Sequence, residues 1–207
     1  AAHAEPQPDR SLLGLHIASV LFGITGLFSK LIPLPAIDIT SLRSLIASAA
    51  LFCLVRLIRG GVELRSFRDY AVMALSGILM CLHWVTFFHS MQVSSVAVGM
   101  IALFSYPVMT VFLEPLWHGQ RPRRADVAAG IGVLFGVYLM VPAFSPASNI
   151  TLGVFWGCVS AFLFSLRNVL QRHYLAHCRG DTSMFYQALV AGIAAFGEVE
   201  FAQGDEI

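Results

Sequence analysis

Charge is what this 207-residue chain has least of: Asp, Glu, Lys and Arg together make up 12% of it, against about 25% in an ordinary soluble domain. Lysine occurs once, as Lys30, which follows Ser29 in an apolar stretch. A P-loop closes a glycine-rich turn with its lysine, so no ATP-driven mechanism is visible. There is also no HExxH, no GxSxG and no helix with paired carboxylates, and the common hydrolase signatures go with them. The four cysteines, Cys53, Cys81, Cys158 and Cys178, show no paired spacing. That argues against a disulfide framework or a zinc knuckle. No metal site, no cofactor and no catalytic residue is expected.

What is there is apolar. Hydrophobic residues reach 57% and the mean hydropathy is +0.74, a composition whose natural solvent is the bilayer. Six long apolar stretches run from Leu12 to Ile32, Ile37 to Ile58, Tyr70 to Gln92, Ser94 to Leu113, Ala125 to Ala143 and Thr151 to Leu170. A spanning helix needs about 20 such residues. The joints alternate in charge. Arg10, then Arg56, Arg59, Arg65 and Arg68, then Arg121, Arg123 and Arg124, then Arg172 and Arg179 mark every second one. The turns Pro33–Ala36, Val93 and Phe144–Ile150 carry no Lys or Arg. Short cytoplasmic loops retain basic residues, so the expectation is a multi-pass protein of the plasma (inner) membrane with a cytoplasmic amino terminus. The loops Gly60–Asp69 and Trp117–Arg124 lie on the same side. Arginines placed this way are topology signals, and nucleic acid is not an expected partner.

The tail Ala1–Arg10 is polar with two prolines and is expected to be disordered. Pro33 and Pro35 end the first span, because proline cannot continue a helix. The third and fourth spans, joined by a few residues around Gln92–Ser94, must be antiparallel neighbours. Pro142 and Pro146 break the chain after the fifth. The sixth span resembles the first: Leu21-Phe22-Gly23 followed by Ser29-Lys30-Leu31 aligns at constant offset with Leu163-Phe164-Ser165 followed by Gln171-Arg172-His173. Two copies five spans apart face opposite ways across the membrane, as in inverted-repeat transporters. The apolar run Met184–Phe196 is short before Glu198, Glu200, Asp205 and Glu206, so a seventh helix is expected to be short, frayed or truncated.

Polar and ionisable groups inside spans are costly in lipid and are functional candidates for that reason. Arg167, with Asn168 beside it and Gln171 one turn on, lies in the inner half of the sixth span; the alternative for Arg167 is snorkelling to the edge. Lys30 completes the helical face Ser19, Gly23, Gly26, Lys30, whose small residues let a helix or a substrate approach. An ion pair with Asp38 is the simplest role for Arg43. His83 and Trp84 lie in a third span without Asp, Glu, Lys or Arg from Tyr70 to Gln92; each is either a cavity wall or a packing residue. Ser95, Gly99, Tyr106, Thr110 and Glu114 mark one polar face of the fourth span, and Pro107 frees a carbonyl there. Glu114 is a candidate for a gate or for proton coupling. The ladder Ala128, Gly132, Gly136 reads as a packing face. Tyr106 and His83 stand at similar depth on either side of the hairpin and can line one wall.

These residues, in order, resemble the drug/metabolite transporter superfamily, EamA-type. The resemblance rests on Leu21-Phe22-Gly23 to Lys30, Leu42-Arg43, His83-Trp84 to Ala97-Val98-Gly99, Ser105-Tyr106-Pro107, and Gly119-Gln120-Arg121. It covers Leu12–Val141 well and Leu152–Tyr186 partially. The resemblance implies ten helices in two inverted five-helix repeats around a central cavity, moving small metabolites without ATP. Gln120 stands where the family usually has an acid, and with seven spans read here, three of the ten implied helices are expected to be missing. Arg167-Asn168 is also similar to the related sugar-phosphate transporters, where an arginine suits an anionic substrate. The expected fold is all-α, a polytopic membrane helix bundle. It divides into a tail over 1–10, a first five-helix repeat over 11–143, and the start of an inverted second repeat over 144–207. The expected function is secondary transport of a small organic metabolite or drug-like solute by alternating access. The alternatives are an intramembrane enzyme, with His83 and Glu114 handling protons, or a membrane assembly subunit. The expected partners are the solute and the lipid bilayer, with a homodimer left open. The substrate-binding candidates are Lys30, His83, Trp84, Tyr106, Arg167 and Asn168.

Overall fold

The computed structural model describes residues 8–117, 119, 121–139 and 148–204. Their helices are α1 (Pro8–Leu31), α2 (Ala36–Arg59), α3 (Phe67–Val93), α4 (Val96–Leu103), α5 (Tyr106–Trp117), α6 (Arg124–Leu139), α7 (Asn149–Tyr174) and α8 (Gly180–Gly204), and no strand occurs among the described residues. The chain is an all-α membrane helix bundle. Segments Ala36–Ile58, Phe67–Val93, Val96–Trp117 and Asn149–Tyr174 are long and apolar enough to cross a membrane, and α1 adds a shorter apolar segment, Leu12–Gly26.

Local chemistry sets the ends. Gly60 closes α2 in the left-handed conformation (φ 82°) with its N–H on the Arg56 carbonyl, a conformation that costs glycine nothing. Ser66 and Ser95 cap α3 and α4, their hydroxyls accepting from Asp69 N and Val98 N, which satisfies amides that no helical carbonyl reaches. Ser94 and Ser95 alone separate α3 from α4, so the expected tight hairpin forms. The fourth span, by contrast, is two helices. Pro107 has no N–H to offer the Leu103 carbonyl, and its ring crowds that turn. The helix stops at Leu103, turns through Phe104 and Ser105, and restarts at Tyr106.

Expectations at both ends of the chain also change. Pro8–Arg10 is already helical, leaving only the earlier part of the tail, Ala1–Gln7, outside the described residues. The seventh span, α8, runs for 25 residues rather than ending with its apolar stretch, since glutamate is a good helix former and Glu198 and Glu200 simply continue the helix. Gln120, the Pro142–Pro146 segment, Asp205 and Glu206 lie outside the described residues.

The core sits between α3, α7 and α8. Small residues let these helices close up. A Cβ on Gly157 would stand 2.5 Å from the Ala102 Cβ, one on Gly99 2.5 Å from the Met91 Cγ, and one on Gly77 2.6 Å from the Val190 Cβ. Ser90 Oγ donates to the Gly153 carbonyl at 2.6 Å, pinning α3 antiparallel to α7. On the far side, Ser41 Oγ donates to the Gly192 carbonyl (3.2 Å) and Phe52 tilts against Phe185 (5.6 Å), seating α2 on α8. The ladder Ala128, Gly132, Gly136 does not pack as expected. These residues are exposed, and neither glycine has a described neighbour within 4 Å of a would-be Cβ. It is Gly130 that meets the rest of the bundle, against Phe112 and Val108.

Candidate functional site

Phe164, one turn before Arg167 on α7, organises the middle of the bundle. His83 stacks on it from α3 (centroids 4.7 Å apart, planes at 26°), and Tyr106 from α5 meets it edge-on at 4.9 Å. The expectation that His83 and Tyr106 share a depth is realised through this ring. His83 is buried and engaged through Nδ1, which lies 2.8 Å from Ser160 Oγ and 3.1 Å from the Ser160 carbonyl, while Ser160 Oγ reaches the His83 carbonyl at 3.0 Å. This reciprocal clamp joins α3 to α7, the arrangement of a satisfied core histidine. Ser165 Oγ reaches the Tyr106 carbonyl at 2.7 Å, tying α7 to the start of α5 at the helix break.

On the side of this layer nearer the α3–α4 hairpin lies a cavity of about 300 Å³, lined by Thr25, Ile32, Leu34, Ile39, Leu42, Arg43, Ile46 and Phe88. Arg43 is the one cation among its described lining residues. The ion pair with Asp38 does not form. Instead the guanidinium lies 4.6 Å from the Trp84 ring centroid and 5.1 Å from that of Phe88, within the range of a cation–π contact. Trp84 is thus nine-tenths buried beneath a cation.

On the arginine-rich side of the layer a second cavity, about 380 Å³, is lined by Arg167, Asn168, Gln171, Arg172, Leu175, Ala176 and Cys178. Arg167 Nε donates to Gln187 Oε1 at 2.7 Å and Nη1 to Asn168 Oδ1 at 2.9 Å, with the Phe164 ring 6.0 Å away. Gln187, fully buried on α8, donates in turn to Ser183 Oγ (2.7 Å) and Gln171 Oε1 (3.4 Å). Among the described residues, every polar partner of Arg167 is therefore a neutral amide. An arginine held this way keeps its whole charge available to a ligand.

Lys30 and Glu114 are taken up elsewhere. Lys30 Nζ donates to the Gln92 and Ser94 carbonyls, both at 3.0 Å, strapping the end of α1 to the hairpin where α3 leaves its last carbonyls free. Along the face it was expected to complete, Gly26 does meet Met100 and Val96, but Gly23 meets nothing within 4 Å. Glu114 pairs with Arg172 at 3.0 Å across the arginine-rich end, and Trp117 stacks on His173 at 5.8 Å just beyond it. His83 and Glu114 thus have separate partners and do not meet. Phe164 and Gln187 were not among the sequence candidates. The paired Leu-Phe motif pointed near Phe164 without saying why it mattered.

A model of the EamA-like transporter family matches residues 10–141, and one of a family of unknown function (DUF6632) matches residues 85–198. No curated protein and no solved structure matches the chain. The first match spans α1 to α6, including Arg43, His83, Trp84, Tyr106 and Glu114. The chain belongs to the EamA-like transporter family.

Proposed function

We propose that this protein is a secondary transporter that moves a small organic anion across the plasma membrane by alternating access, with its arginine-rich end in the cytoplasm. Membership of a transporter family supplies the broad class. The observation that carries the finer reading is Arg167: a half-buried guanidinium at a cavity wall, held by Gln187 and Asn168 and by no carboxylate. An uncompensated cation inside a span costs at least ~2.5 kcal/mol on insertion scales, and an anionic solute relieves that cost on arrival. Arg43, facing the other cavity over Trp84 and Phe88 without an acid, repeats the pattern on the opposite side of the aromatic layer. Tyr106, His83 and Trp84 form the wall between the two, and the Glu114–Arg172 pair acts as the gate at the arginine-rich end.

Reconstituted protein tests this by counterflow, in liposomes preloaded with carboxylates and organic phosphates and assayed with labelled members of the same panel. ATP-free exchange of at least one anion is expected. Exchange confined to cations or neutral solutes would sink the anionic reading, and recovery of a chemically altered solute would point to an enzyme.

A further inference from the structure

At the arginine-rich end the turn between α7 and α8 folds back on the start of α3. Leu175 N bonds to the Gln171 carbonyl and Cys178 N to the Leu175 carbonyl, both at 2.9 Å, and this tight turn presents His177 and Cys178 to Asp69. His177 Nε2 stands 3.3 Å from Asp69 Oδ2, and these atoms and Cys178 Sγ all lie within 4.8 Å of one another. The Asp69 side chain is only 8% exposed, and its Oδ2 has the His177 ring nitrogen beside it but no hydrogen bond of regular geometry. A buried carboxylate oxygen so poorly satisfied is expensive and asks for an occupant. Among the described arginines nearby, Arg179 is held by Asp181 at 2.7 Å, Arg68 lies 5.0 Å over the Tyr174 ring, and Arg65 lines the adjoining cavity beside His177 and Cys178 without an ion pair to Asp69.

We propose that Asp69, His177 and Cys178 form a binding site for a divalent transition metal of the zinc class. One oxygen, one nitrogen and one sulfur ligand suit zinc, whereas calcium and magnesium require oxygen throughout. Ligands about 2.0–2.3 Å from a tetrahedral zinc stand roughly 3.3–3.8 Å apart. The Asp69–His177 spacing already meets this, and the thiol has only a short approach to make. The remaining coordination position faces a cavity of about 150 Å³ lined by Glu63, Leu64, Arg65 and Thr182 among others, where water or the Glu63 carboxylate completes the set. Cys178 also lines the Arg167 cavity. A bound metal therefore sits at that cavity's rim and fastens the α7–α8 turn to the base of α3. The site stands on its own geometry and does not depend on the transported solute.

The full chain, purified in detergent and stripped with a chelator, is titrated with Co²⁺ and then with Zn²⁺. The expected result is a thiolate-to-cobalt charge-transfer band in the near ultraviolet that Zn²⁺ abolishes by displacement. Cys178→Ser should remove the band, whereas Cys53→Ser and Cys158→Ser keep it. His177→Ala and Asp69→Asn should each weaken Zn²⁺ binding by about 100-fold. Circular dichroism and elution volume confirm that each variant is folded, and either of the last two suffices if the other is not. No band from the unaltered chain, a band that survives Cys178→Ser, or unchanged Zn²⁺ affinity in a folded His177→Ala or Asp69→Asn variant would overturn the proposal.

Discussion

Arg167 separates two roles that a membrane arginine can play. A snorkelling side chain is held by water at the bilayer edge; this one is held by Gln187 and Asn168 inside the bundle. Arg167→Gln keeps hydrogen-bonding capacity and removes the charge. We expect it to lower the apparent affinity for an anionic substrate tenfold or more, the scale of one charge-assisted hydrogen bond at ~1.5–3 kcal/mol, with abundance in the membrane little changed. Uptake assays beside quantitative immunoblots check this, and parallel losses of protein and activity would make the residue structural. His83 should behave differently, because its clamp with Ser160 is internal to the fold. His83→Ala removes the imidazole from Ser160 and Phe164 and leaves Ser160 Oγ only the backbone carbonyl of residue 83, at a cost of about 1–3 kcal/mol, and should lower the melting temperature. Ser160→Ala in the same background should add little, and full additivity in thermal unfolding would show that the two side chains do not act together. Tyr106→Ala, which leaves that clamp intact, should instead change substrate affinity. Much of this site was legible in the sequence, because Arg167, Asn168, His83 and Tyr106 interrupt apolar runs and such interruptions are rare. Phe164 was not, since a phenylalanine among apolar residues carries no signal. Gln187 was passed over because it lies in a stretch whose helix looked incomplete, and Arg43 was given to Asp38 because proximity in sequence says nothing about the aromatic faces of α3.

Among the elements, α7 gains its place from glycine. Gly157 admits Ala102 so closely that even a methyl group must push α4 away, and such overpacking typically costs about 1–3 kcal/mol. Gly132 on α6 has open space around it, and an alanine in an exposed helix is worth roughly 0.5–1 kcal/mol over glycine. Gly157→Ala should therefore lower the melting temperature in detergent while Gly132→Ala holds or raises it. The same sign for both would mean that the close approach of α4 and α7 is not what holds the bundle. Periodicity and proline placement gave the helices and their order, and Gly99 could be read as part of a polar face. It could not say which small-residue ladder was buried. Gly153–Gly157 and Ala128–Gly132–Gly136 have the same spacing, and only tertiary packing tells them apart.

For the molecule as a whole, the two ends are closed by different means. Lys30 holds the hairpin end through backbone carbonyls, and Arg172 holds the other through Glu114, although both basic residues stand nine positions beyond the leucine of a Leu-Phe pair. An exposed ion pair contributes only ~0–1 kcal/mol. Glu114→Gln should leave stability unaltered and speed or uncouple turnover, with the reciprocal exchange Glu114→Arg, Arg172→Glu restoring it; unchanged turnover in Glu114→Gln would remove the pair from the cycle. The proposed orientation has its own check. In a variant lacking the four native cysteines, Glu63→Cys should resist an impermeant thiol reagent in intact cells and react once they are opened. Labelling from outside would invert the topology. The break at Phe104–Ser105 bears on how such a cycle avoids leakage. An unbroken rod that tips to shut one mouth must open the other, as a seesaw does. A rod with an elbow at mid-depth can bend, so that α4 stays seated on α7 at the hairpin end while α5 closes on Glu114–Arg172. In the proposed cycle both mouths would then be shut at once, and the solute would never meet a continuous path from one compartment to the other.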